Sequence, residues 1–237
     1  MKMRRLSEID LARIATLPTA DKYRRLRELK SGYPPHTYNP MRANVPDLLN
    51  VQPPMFPRVG YTNWEIVCEN ISRKARSEFE EKFNLEVSRA LYDFGKENAV
   101  LSYEKPISEW SVGYGQTVKY WWSVYTVVDK YPLFLFVDPR LSLPLTRLGI
   151  RFALSIMHER IRVPDPDFAD AKLAVCQFPR NEEGVRKIHV YDASEFKLYD
   201  VDQLNEMIDE TYRIWAEVLA EREAADRKAT GTTPLGF

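Results

Sequence analysis

From residue 99 to residue 137 the sequence abandons helical spacing and becomes dense in Val, Tyr, Trp and Phe, and this block constrains the fold more than any other feature. Three stretches within it, 99–103, 117–128 and 133–137, carry the β-branched and aromatic residues that suit a pleated surface. Gly113 and Gly115 mark a turn before the second stretch, and Asp129-Lys130 fits a tight hairpin into the third. Together they predict a meander at the heart of a buried sheet.

Helical periods flank this block. Upstream, Ile66, Val67, Ile71, Phe79, Phe83, Val87, Leu91 and Phe94 recur at threes and fours from Thr62 or Asn63 to Gly95, with a break expected near Ser72. Downstream, Leu148, Phe152, Ile156 and Ile161 predict a helix that Pro164 ends. Two further strands follow at 171–178 and 187–191. The last helix, 201–225, sets Leu204, Ile208, Tyr212, Trp215 and Leu219 at helical spacing. The fold class is therefore α/β, a central mixed sheet of about five strands flanked by helices.

The first 61 residues differ in kind. Ser7 can cap a helix that ends at Pro18, and Thr19 can cap a second that stops at Gly32. From 33 to 58 come seven of the 16 prolines, which exclude regular helix and central strand and predict an extended arm. Tyr38, Met41, Leu48, Leu49, Val51, Met55 and Phe56 make this arm too apolar for a solvated linker, so it should wrap over the domain or dock on a protein partner. The expected organisation is a basic helical pair at 1–32, a proline-rich arm at 33–61, an α/β core at 62–226 and a flexible tail at 227–237.

The formal net charge of zero hides an asymmetry. Residues 1–30 hold nine Lys or Arg against four Asp or Glu, whereas residues 200–226 hold two against nine. Either the basic end meets an external anion, or the two ends neutralise each other. Under the first reading Arg24, Arg25, Arg27 and Lys30 contact DNA or RNA phosphates, and Trp110, Tyr114, Tyr120, Trp121 and Trp122 offer stacking surfaces for bases if exposed. Cys68 and Cys176 are too few for a disulfide scaffold. No apolar run is long enough to span a membrane, and acids interrupt the N-terminus where a signal peptide would turn apolar, so a cytoplasmic protein is expected. No phosphate-loop, dinucleotide or nucleophile-elbow motif is present.

The order helix, three-strand meander, helix, strand, together with Asp138-Pro139-Arg140 at the end of the third strand, resembles the core of the PD-(D/E)XK nuclease superfamily over roughly residues 64–178. That resemblance implies a Mg²⁺-dependent nuclease, complete or degenerate. Asp138 and Glu78 would bind the metal, Asp138, Arg140 and Glu81 would form the catalytic group, and Glu109 or Asp129 could supply a missing carboxylate. Ser123 stands where the second-strand aspartate belongs, and Arg140 stands for the lysine. His158-Glu159 with Asp165, Asp167 and Asp170 forms a second polar cluster, without the spacing of a metal motif. The rival function is a non-catalytic interaction subunit of a larger assembly, docking through the arm.

Overall fold

The structure is a computed structural model and describes residues 5–29, 37–54, 59–113 and 115–230. Helix α1 (Glu8–Ala15) opens on Ser7, whose hydroxyl accepts from the Asp10 N–H. Helix α2 (Thr19–Glu28) has Pro18 at its N-cap, so Thr19 is not the cap but the first helical residue, and its hydroxyl donates to Glu210 at 2.6 Å. The arm is not simply extended. It contains two single-turn helices, α3 (Asn39–Arg42) and α4 (Val45–Leu48), because Pro40 and Pro46 fall in the first turn, where a missing N–H breaks no helical bond.

The long upstream helix divides into α5 (Trp64–Lys74) and α6 (Glu78–Glu97). Ala75 takes an extended backbone, and Ser77 caps the second helix by accepting from the Glu80 N–H. Strands β1 (Leu101–Glu104), β2 (Trp110–Ser111), β3 (Thr117–Val118), β4 (Val124–Val128) and β5 (Tyr131–Asp138) follow. The predicted strand 117–128 is thus interrupted at 119–123, where Tyr120 and Trp121 are buried and the Tyr120 hydroxyl donates to the Glu8 carbonyl at 2.7 Å. Asp129 and Lys130 both adopt positive φ, as a tight hairpin turn requires. Helix α7 (Arg147–Met157) continues as a π-helical turn (His158–Arg162), then come β6 (Lys172–Gln177), β7 (His189–Asp192) and α8 (Val201–Thr230).

The main sheet has the order β1-β4-β5-β6-β7, with β5 and β6 parallel and every other pair antiparallel, while β2 and β3 form a separate ribbon. The period of two along β5 divides the core. Phe134 and Phe136 face one cluster, which is completed by Leu173 and Val175 of β6 and by residues of α1, α2, α7 and α8. Leu133, Leu135 and Val137 face the other, with Ala174 and Cys176 of β6, residues of α3 and α4, and α5 and α6. Gly149 lets α7 approach α1, since a Cβ there would meet the Ala12 carbonyl oxygen at 3.2 Å. Among the described residues no helix is long and apolar enough to cross a membrane.

Candidate functional site

The carboxyl end of β5 brings Asp138 into the interior, fully buried. Its Oδ2 accepts from the Leu145 N–H at 2.6 Å and the Gln177 amide at 3.2 Å, and its Oδ1 from the Arg140 N–H at 3.2 Å. Burial pushes its carboxyl above the usual aspartate value against the pull of these bonds. The group joins the loop after β5 to the end of β6. Arg140 turns away to Asp10 of α1, at 2.7 Å, and to the Ser7 hydroxyl at 3.2 Å. Glu81 accepts from the Ser72 hydroxyl at 2.6 Å, and Glu78 is exposed on α6. The structure therefore does not assemble Asp138, Glu78 and Glu81 into a site: among the described residues no group of three His, Cys, Asp or Glu could hold a metal ion. Asp165, from the second polar cluster, pairs with Lys105 at 2.8 Å.

The basic helix α2 lies along the acidic helix α8. The nearly inaccessible Lys22 pairs with Glu210, Tyr23 donates to Glu217, and Arg27 meets Glu221 at 2.9 Å. Arg222 of α8 reaches back and donates to the carbonyls of Leu26, Arg27 and Leu29, which closes the end of α2. Arg24 and Arg25 pair within their own helix with Asp21 and Glu28. Of the two readings of the charge asymmetry, the structure shows mutual neutralisation. Lys30 and Tyr114 lie outside the described residues, and Trp110, Tyr120 and Trp121 are buried.

The arm is held down by buried polar groups that periodicity did not reveal. Glu80 of α6, almost completely buried, accepts from the Thr37 N–H at 2.7 Å, the Thr37 hydroxyl at 2.8 Å and the Arg76 N–H at 2.8 Å. The Arg76 guanidinium bonded to it holds its carboxyl well below the usual range. One turn on, Asn84 accepts from the Met41 N–H at 2.9 Å and donates to the Thr37 carbonyl at 2.8 Å. Further along, Val51 bridges to Ser102 of β1, whose hydroxyl donates to the Leu49 carbonyl at 2.6 Å. Gly95 permits this approach: a Cβ there would lie 3.0 Å from the Leu48 carbonyl oxygen.

Gln52 then closes a loop. Its amide oxygen accepts from the Val59 N–H at 3.0 Å, and its amide nitrogen donates to the Val59 carbonyl at 3.3 Å and to the Asn50 carbonyl at 2.9 Å. The clasp joins Gln52 to Val59, the residues on either side of the sequence Pro-Pro-Met-Phe-Pro-Arg at 53–58. Tyr61 secures the outgoing side, its hydroxyl bonded to the Gly95 carbonyl at 2.5 Å. Beside it Val59 and Ile66 are exposed, 46% and 50%. Residues 55–58 are outside the described set.

Among the described residues the arm is anchored along its length, and comparison with known proteins gives it a context. Residues 9–225 match the family described as the sliding clamp-binding bacterial toxin SocB. The chain belongs to the SocB family. A SocB relative, the DNA replication inhibitor toxin SocB of Caulobacter vibrioides (strain NA1000 / CB15N), is 35% identical over 232 residues, 98% of this chain and 97% of its own length. No solved structure matches. Membership of the SocB family overturns the resemblance to PD-(D/E)XK nucleases, which rested on an element order shared by unrelated α/β folds. The roles named for Asp138, Arg140, Glu78, Glu81 and Mg²⁺ were implied by that resemblance alone.

Proposed function

We propose that this chain binds the DNA sliding clamp and so inhibits DNA replication in the cytoplasm, and that the 53–58 loop of its arm carries the contact. The observation that carries the reading is the alignment, over nearly the full length of both chains, with a relative named as a DNA replication inhibitor toxin, inside a family described as sliding clamp-binding. Supporting the choice of loop is its sequence. Met55 and Phe56 are adjacent large apolar residues between Pro54 and Pro57. Prolines restrict the unbound chain and remove backbone donors, which lowers the entropy lost on docking and leaves side chains to make the contact. A flexible thioether beside an aromatic ring suits an apolar pocket on a partner. A clamp occupied in this way is withheld from other proteins that use the same surface.

The test is calorimetric titration of the purified full chain into purified sliding clamp. Phe56→Ala should weaken binding about thirtyfold, the loss of about 2 kcal/mol typical of an interface anchor, while the melting temperature stays unchanged. If the wild-type chain does not bind, the clamp reading fails; if Phe56→Ala and Met55→Ala both bind like wild type, only the loop assignment fails.

A further inference from the structure

A cavity of about 770 Å³ opens at the carboxyl end of β5, where the two helical layers meet at the rim of the sheet. Its described walls come from α1, α3, α6 and the loop after β5. This is the end of a parallel strand pair, the place where α/β sheets hold small ligands, and the volume falls in the range of such sites.

Three guanidiniums line it, and they are not equally committed. Arg140 is bonded to Asp10, and Glu8, the other acid in the wall, is paired with Arg5. Arg13 of α1 and Arg42 of α3 have no hydrogen bond or ion pair from their side chains among the described residues. Arg13 is half-buried; burial and the neighbouring Arg140 disfavour its charged form, with Asp10 and Asp138 acting the other way. On the α6 wall Phe79 and Phe83 meet edge to face with centroids 4.5 Å apart, and Phe79 is 53% exposed. On the opposite rim Leu143 is 60% exposed and sits in the left-handed region at φ 54°, a conformation that leucine seldom adopts.

We propose that this cavity binds a ring-bearing phosphate ester of the nucleotide class, with Arg13 and Arg42 gripping the phosphate and Phe79 covering the ring. A single carboxylate would satisfy only one guanidinium fork. A phosphate group presents several charged oxygens to two forks that arrive from separate elements. Exposed aromatic surface beside those cations supplies the flat apolar contact that a base requires. Leu141, Ser142 and Leu143 contribute to the wall.

Thermal denaturation of the full chain tests this with ADP, inorganic pyrophosphate and a short oligothymidylate as separate probes. ADP at about a hundredfold excess over its dissociation constant should raise the melting temperature by at least ~5 °C. Pyrophosphate should give a smaller rise. Arg42→Gln, an exposed position whose substitution leaves the core intact, should abolish both effects, and Phe79→Ala should reduce only that of ADP. No rise with ADP, or a rise that survives in Arg42→Gln, overturns the proposal. A pyrophosphate effect equal to that of ADP overturns the nucleotide assignment, as does protection by the oligonucleotide alone.

Discussion

On one face of the sheet Trp215, Tyr212, Ile208 and Leu204 of α8 pack with α1, α2 and α7 against Phe134 and Phe136; on the other, α3 and α4 are held by hydrogen bonds to Glu80, Asn84 and Ser102 as well as by Met41, Leu48 and Leu49. The first cover is built mainly from repeated apolar contact, with ion pairs such as Lys22–Glu210 added between α2 and α8. The second depends on particular donors and acceptors, each of which becomes an uncompensated buried group when its partner is lost. Association by area and association by pairing thus operate on either side of one strand, β5.

Removing an anchor of the first kind should have the largest effect. Trp215→Ala deletes a side chain that is 1% exposed and should lower unfolding free energy by about 3–5 kcal/mol in urea titrations. A loss below ~1 kcal/mol would mean that α8 is not an integral layer of the core. Asn84→Ala strands the Met41 N–H and should cost about 1–3 kcal/mol. Protease digestion would localise that loss, because cleavage near residues 37–52 should accelerate while α8 remains protected; equal acceleration at both places would erase the distinction between the faces.

Acid sharpens the comparison. The folded value of Glu80 is depressed relative to an unfolded glutamate near 4.3, so its contribution to stability is present above about pH 4.3 and disappears as pH falls through the lower folded value. Glu80→Gln should reduce stability at pH 7 and flatten the decline below pH 4; a variant with the wild-type acid slope would remove Glu80 as the clasp of the arm. The smallest effect belongs to the charged seam. Arg27 and Glu221 are both more than half exposed, so Arg27→Ala should leave the urea midpoint essentially unchanged at physiological salt.

The same contrast explains what could be read in advance. The helices at 64–97, 147–157 and from 201, and the strands at 101–104 and 131–138, follow apolar periods that local sequence displays directly. Glu80 and Asn84 bond to residues 43 positions away or more, and a lone Glu or Asn on an amphipathic helix reads as solvated until the arm is laid beside it. Gln52 was likewise silent, because its partner Val59 lies across a run of prolines. Asp138 drew notice for chemistry, yet its bonds run to Leu145 and Gln177, the second of them on a strand placed next to β5 only by a crossover through α7. The arm's apolar residues predict that it wraps over the domain or a partner, and Met41, Val45, Leu48 and Leu49 do pack into the core; its two helical turns are not expected, since proline was weighed for what it interrupts rather than for the helix starts it favours.

Arg222 stands nearly two hundred residues after the carbonyls it satisfies, and that separation sets an order of events during synthesis. Helices α1 and α2, which leave the ribosome long before α8, have to wait for some two hundred further residues before the last oxygens of α2 find a donor. Contacts this distant in sequence are slow to form, so the newly made chain completes itself late, with its earliest helices among the last to settle.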